Sequence, residues 1–308
     1  MRKSFLISVF LFHISGFLFA GGGETGFAFL KIGIGGKAAG MGETATATAT
    51  DATASFWNPA GLIQSENHSV IFTYNRWIDG IQHNFGAAKF VYGNNAFALQ
   101  YISTGVEDIE QRDIPSENPT AYFSSHDLAL GLSYARKMNE RLSVGITSKY
   151  IYERIQSSVS AFAFDFGAWY RIKYSSNADL DDRWRAGLMI SNIGYSGKFI
   201  DEKVKLPASM RVGSSYDILK NPASKNTLSV AVDVEKFFAE SIRTHVGMEY
   251  GYEDRCFVRG GYQLGYKARG ISAGIGMKVQ SISVDYGYMP FSNSLGATHR
   301  ISIALGFQ

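Results

Sequence analysis

The chain has 308 residues, rich in Gly (33), Phe (22) and Tyr (17), with 6 Pro and a single Cys. Its formal charge at pH 7 is only +3, and no basic tail or cluster is present, so the footprint of a nucleic-acid binder is missing. Cys256 stands alone, which excludes an intramolecular disulfide framework and leaves hydrogen bonding and burial to hold the fold.

The chain opens with Met1-Arg2-Lys3 and an apolar run from Phe5 to Ala20. A short basic head before such a run is the pattern of a secretory signal peptide, and the run is shorter than the ~20 residues a spanning helix needs. Cleavage after Gly22 puts Ala20 at the small-residue position; cleavage after Ala20 would put Leu18 there. Residues 1–22 are therefore read as an export signal, and no cysteine comes after it that could carry a lipid anchor. No later segment is long and apolar enough for a membrane helix. High Gly and Tyr with low Pro point to an exported all-β protein.

The next stretch, Lys31-Ile-Gly-Ile-Gly-Gly-Lys-Ala-Ala-Gly-Met-Gly42, has the look of a phosphate loop. Gly33, Gly35 and Ala38 fit the loose dinucleotide spacing, but that fingerprint needs a strand before it and a helix after it. Glycine 42 leads instead into Glu43-Thr-Ala-Thr-Ala-Thr-Ala-Thr50 and then a β-rich chain. A Walker loop fails too, because Ala38 stands where Ser or Thr should come after Lys37. No nucleotide or other cofactor is expected. The better reading of Gly33, Gly35, Gly36, Gly40 and Gly42 is a compact segment whose bare backbone approaches a wall closely or turns with positive φ. Residues 23–66 would form a plug, with Phe56, Trp57, Asn58 and Pro59 locking it in place. Asn58-Pro59 reads as a turn start, with Pro59 in the first turn of a short helix.

From about residue 68 onward, segments of roughly ten residues alternate apolar with small or polar, which is the transmembrane-barrel signature. In Leu228–Val234, Leu228, Val230, Val232 and Val234 share one face while Ser229, Ala231 and Asp233 share the other. Ile282–Tyr288 and Arg300–Phe307 repeat the pattern. About fourteen such segments begin near residues 68, 81, 95, 126, 141, 158, 183, 206, 226, 241, 255, 269, 281 and 299, an even number as bacterial barrels require. Aromatics cluster near segment ends, as at Tyr74/Trp77, Tyr150/Tyr152, Tyr170/Tyr174 and Tyr286/Tyr288, which fits girdles at two membrane interfaces. A secreted sandwich would also alternate, but with shorter strands and fewer charges on the polar face. The predicted fold is an all-β transmembrane antiparallel barrel over residues 67–308 with the plug inside its lumen. Connections at 105–125 and 195–206 are long and polar and fall on one side; the Tyr174–Asp182 connection is long on the other.

The stretches Gly26–Gly42 and Asp51-Ala-Thr-Ala-Ser-Phe-Trp-Asn-Pro-Ala-Gly-Leu62 resemble the N-terminal signature of the PorV/PorQ family, within the wider FadL-like outer-membrane barrels. The penultimate place of Phe307, where such barrels commonly end on an aromatic residue, departs from the pattern. The resemblance implies a fourteen-stranded barrel in the bacterial outer membrane. It also implies work in type IX secretion, holding exported proteins at the outer membrane; the FadL branch instead implies uptake of long-chain fatty acids or other hydrophobic compounds.

No catalytic constellation is visible, so no enzyme is expected. His13, His68, His83, His126, His245 and His299 have no metal-ligand spacing. Arg171, Arg211, Asp233, Arg243, Arg259, Asp285 and Arg300 all fall on polar faces. Arg or Lys on the lipid face would cost ~2–4 kcal/mol at the membrane midplane, so these charges must face the lumen and pair there. Outer-membrane lipids are the expected surroundings; exported proteins, secretion components or hydrophobic small molecules are the partners to be tested.

Overall fold

The computed structural model describes residues 25–111, 119–154, 157–173, 183–199 and 202–308. The export signal at 1–22 and the Tyr174–Asp182 connection lie outside the described residues. The strands are β1 (His68–Arg76), β2 (Gln82–Tyr92), β3 (Asn95–Gln111), β4 (Ala121–Lys137), β5 (Leu142–Arg154), β6 (Ser158–Arg171) and β7 (Trp184–Ser196). A two-stranded ribbon, β8 (Lys198–Phe199) with β9 (Glu202–Lys203), comes next and stands outside the main sheet. The set is completed by β10 (Ser209–Asn221), β11 (Asn226–Phe237), β12 (Ile242–Tyr252), β13 (Cys256–Leu264), β14 (Ile271–Val279), β15 (Ile282–Pro290) and β16 (Ala297–Phe307). All but the ribbon pair with their neighbours in one closed antiparallel barrel of fourteen strands, β7 beside β10 and β1 beside β16.

The period-2 pattern becomes a two-faced wall. In β1, Ser69, Ile71, Thr73 and Asn75 are buried while Val70, Phe72 and Tyr74 are exposed. Successive side chains of a strand point to opposite faces, so one face meets lipid and the other meets the lumen. Closure removes the free edges that an open sheet would leave. The seam runs from His68 opposite Phe307 to Arg76 opposite His299 without a break.

Three expectations need correction. The span 105–125 is not mainly loop: β3 and β4 stay paired out to Gln111 and Ala121, past a register shift between Val106 and Ile109. Strand pairing continues beyond the membrane-length segment there, so the start expected near 126 falls too late. The 195–206 connection likewise carries the β8–β9 ribbon. Trp77 is no girdle residue; it is buried against Phe291, with ring centroids 5.3 Å apart.

Ahead of β1, residues 25–66 form short pieces: a 3-10 turn at Ala28–Lys31, α1 (Gly36–Gly40), α2 (Ala54–Trp57) and a 3-10 turn at Pro59–Gln64. Most of their side chains are buried. The segment starts at the long-loop end of the barrel, where Gly26 N donates to Lys205 O at 3.1 Å. It finishes at the short-turn end, where it enters β1.

Candidate functional site

The plug lies against the wall with glycine facing glycine. A Cβ on Gly36 would come within 2.5 Å of Asp285 O, and one on Gly287 within 2.6 Å of Gly36 O. A Cβ on Gly261 would sit 2.1 Å from Gly42 N, and one on Gly40 2.8 Å from Gly274 Cα. Gly35 and Gly42 turn the chain at positive φ, 84° and 64°, a region that costs L-residues strain. Gly33 leaves room for a carboxylate, since its Cβ would meet Glu43 Oε1 at 2.3 Å. The glycine run is thus a packing surface; α1 is preceded by an extended stretch and a 3-10 turn, not by a strand. The reciprocal wall glycines are hidden in the sequence because each looks like an ordinary small residue of a polar strand face.

Asn58, fully buried, fixes the second half of the plug. Its side chain accepts from Ala60 N at 3.2 Å and donates to Thr46 O at 2.9 Å and Ala168 O at 3.0 Å. One amide therefore caps the Pro59–Gln64 turn, ties two stretches of the plug together and reaches β6. Pro59 and Ala60 then ride over Gly145 and Gly167, where added Cβ atoms would lie 2.6 Å and 2.2 Å from plug atoms. Phe56 and Trp57 stack edge to face, with centroids 5.0 Å apart. Ser143 and Thr147 on β5 donate to Ala60 O and Ser55 O.

The other half is ionic. Glu43 accepts from Arg300 Nη2 at 2.6 Å and lies 3.8 Å from Arg269. Arg211 donates to Glu43 O and to Asp233 at 3.0 Å, and also approaches Glu235 at 3.7 Å. Asp233 Oδ2 additionally accepts from Ala45 N, Thr46 N and Thr46 Oγ1, so one wall carboxylate clamps two plug residues. Nearer the rim, Glu240 pairs with Lys31 at 2.6 Å and with Arg243. Five cations, Lys31, Arg211, Arg243, Arg269 and Arg300, thus meet four carboxylates, Glu43, Asp233, Glu235 and Glu240. Aromatic faces carry part of this charge: Arg211 lies over Trp57 at 4.9 Å, Arg300 over Trp77 at 5.4 Å and Arg269 between Trp77 and Tyr266. Burial alone would push the Glu43 carboxyl up, but Arg300, Arg269, His245 and Arg211 outweigh it and hold its pKa at about 2. Burial, with Glu43 and Glu235 nearby, pushes the Tyr266 phenol up to about 12.

Of the seven charges picked from the sequence, Arg211, Asp233, Arg259 and Arg300 are buried, and Arg243 pairs with Glu240. Arg259 bridges Glu249 and Asp285, each at 2.6 Å. Arg171 lies apart near the short-turn end, 5.9 Å from the Trp169 ring. Sequence reasoning misses Glu43, the hub of the ionic half, because it sits just past the glycine run and outside any alternating segment. It also passes over Lys89, which donates to Thr50 O and Ser65 O at the foot of the plug.

These contacts leave little room. Two cavities between plug and wall measure about 40 and 50 Å³. A larger pocket, about 270 Å³, opens at the long-loop end beside Thr25, Lys31, Leu206, Pro207, Phe237 and Glu240. An apolar hollow of about 800 Å³ lies in the wall of β1 to β6 among the exposed Phe72, Leu99, Leu130 and Phe162. Every neighbouring barrel pair is hydrogen-bonded, with a register shift between β6 and β7 at Phe164/Phe166, at the edge of that hollow. No cluster of metal-ligating side chains occurs among the described residues.

The family described as "Type IX secretion system protein PorV" matches residues 23–242. A search of curated protein sequences found no match. Among solved structures, the toluene transporter TodX of Pseudomonas putida superposes with a TM-score of 0.61 at 10% identity, covering 89% of this chain and 98% of TodX. The toluene transporter TbuX of Ralstonia pickettii gives 0.58 at 13% identity, covering 89% and 97%. The monoaromatic hydrocarbon channel CymD gives 0.59 at 14%, covering 89% and 96%. At these identities the likeness is one of fold alone.

Proposed function

The chain belongs to the PorV family of type IX secretion proteins of the bacterial outer membrane, and on that premise we propose that it holds exported proteins at the outer face as a plugged barrel. In this reading residues 1–22 direct export, 23–66 form a permanent plug and 67–308 form the barrel. The glycines, Asn58 and the lumen charges serve to seat the plug, and no catalytic step is assigned to any of them. The observation that carries the proposal is the filled lumen: a plug bonded to the wall along its length, with two cavities of about 40 and 50 Å³ beside it. Short turns of such barrels face the periplasm, so the 270 Å³ pocket opens outward. Its apolar walls, Leu206, Pro207 and Phe237, beside the Lys31–Glu240 pair, suit a segment of a captured protein with both apolar and polar contacts.

A second reading is uptake of hydrophobic compounds, supported by a fold shared with hydrocarbon transporters. Uptake would need the plug to move. The deciding experiment is extraction of the native protein from outer membranes in mild detergent, with mass spectrometry of whatever accompanies it. Enrichment of exported proteins that share a C-terminal domain is the expected result. Fatty acids or hydrocarbons bound above the level of a control barrel, with no such proteins, would favour uptake.

A further inference from the structure

Where the first and last strands close the barrel, three buried side chains stand in one row. Arg300 on β16 faces Asn75 on β1, and Asn75 faces His83 on β2. Directly opposed residues on one face have Cβ atoms about 4.5–5.5 Å apart, so the three side chains are successive neighbours on the inner face. All are sealed from solvent, at 0%, 0% and 1% exposure.

Each side chain is committed on one side and bare on the other. Arg300 Nη2 is spent on Glu43, while Nε and Nη1 have no partner. Asn75 Oδ1 accepts from Thr298 Oγ1 at 2.7 Å, leaving Nδ2 without one. His83 Nδ1 lies 2.7 Å from Thr104 Oγ1; when it accepts that hydroxyl proton, the unpartnered Nε2 carries the ring N–H. Buried polar groups are almost always hydrogen-bonded, and unpaired donors are costly. Three adjacent groups offer bare nitrogens and no bare oxygen. Around Arg300 itself two cations, Arg300 and Arg269, share the one carboxylate of Glu43.

We propose that Arg300, Asn75 and His83 bind a small monovalent anion of the halide class, chloride being the natural one, at the barrel seam. A halide accepts from every side and donates nothing, so it matches a donor-only row. A water would bring two protons of its own with no free acceptor in the row to take them. A tetrahedral oxyanion is too large for neighbours at strand spacing. The bound charge would offset the excess cation and bridge β16, β1 and β2. Through Arg300 it would also brace Glu43, and with it the plug. The proposal is independent of what the outer pocket holds.

The test uses the full mature protein in mild detergent, exchanged into sodium bromide, sodium chloride or sodium gluconate at equal ionic strength. Diffraction at the bromine edge should show an anomalous peak in contact with all three side chains. The temperature at which the folded barrel band is lost on gels should rise with halide concentration and be lower in gluconate. Asn75→Leu and His83→Phe should abolish this halide shift, whereas Lys137→Ala at the rim should retain it. The proposal is overturned if the site shows density without anomalous signal, which means water, or an Asn75 carbonyl turned toward Arg300. It is equally overturned if the folded variants keep the halide shift. Should either variant fail to fold, the bromide peak in the unaltered chain decides alone.

Discussion

Residues 36–47 of the plug lie chiefly against β10 to β16 and are held largely by charge; residues 54–64 face β3 to β6 and are held by shape and neutral hydrogen bonds. On the first side Arg300, Glu43, Arg211 and Asp233 form a chain of contacts, Arg300 on the Glu43 carboxylate, Arg211 on the Glu43 backbone carbonyl and on Asp233. On the second side Asn58, Ser143 and Thr147 bond to backbone, and Pro59 and Ala60 lie on Gly145 and Gly167. Both sides rely on glycine for close approach. They differ in what a single loss leaves behind. A buried charge without its partner is far more costly than a buried amide without one, so the ionic half should be the less tolerant of substitution.

The largest effect should come from Glu43→Ala, which strands Arg300 and weakens Arg269. Breaking a buried pair costs about 3–5 kcal/mol, readable as a fall in the urea midpoint of the barrel in detergent. A loss no greater than that of Asn58→Ala would erase the distinction between the halves. The same residue gives the ionic half an acid limb. The folded pKa of Glu43 is about 2, below its ordinary 4.5, so its contribution is complete above pH about 4.5 and is lost as the pH falls toward 2. Protease nicking of the plug should therefore increase over that window in the unaltered protein, and Glu43→Gln should flatten the increase.

Overpacking should strike both halves alike. Gly287→Val presses on Gly36 and Gly145→Val presses on Ala60, each for about 1–3 kcal/mol, and plug proteolysis should rise similarly in the two. A clear asymmetry would show that one half has slack the other lacks. Asn58→Ala removes the cap of the Pro59–Gln64 turn, worth about 0.5–2 kcal/mol, and should lower the urea midpoint less than Glu43→Ala. The smallest change belongs outside the lumen. Lys137 and Glu140 pair at 3.5 Å at an exposed turn, and Lys137→Ala should shift the midpoint by under about 1 kcal/mol.

Much of this molecule is legible in its sequence. The segment starts expected near residues 141, 158, 226, 241 and 255 fall within a residue or so of those of β5, β6, β11, β12 and β13. Charges such as Arg211, Asp233, Arg259 and Arg300 are buried on the inner face, as their place in the alternation requires. The reason is local: a strand between lipid and lumen must alternate at every residue, and that period is written along the chain. Strand ends are less legible where pairing continues beyond the membrane, as in β3 and β4. The glycine run announces close packing, but not against which surface. Glu43 and Arg300 are 257 residues apart, and neither position signals the other. Wall glycines such as Gly261 and Gly287 acquire their meaning only when the plug backbone arrives within van der Waals reach. The barrel, its two faces and the presence of a special N-terminal segment can thus be read along the chain, because the surroundings on either side of a strand impose a local pattern. How that segment threads the lumen, which charges meet and which donors stay bare come from folding alone, because they depend on distant residues brought together when the barrel closes.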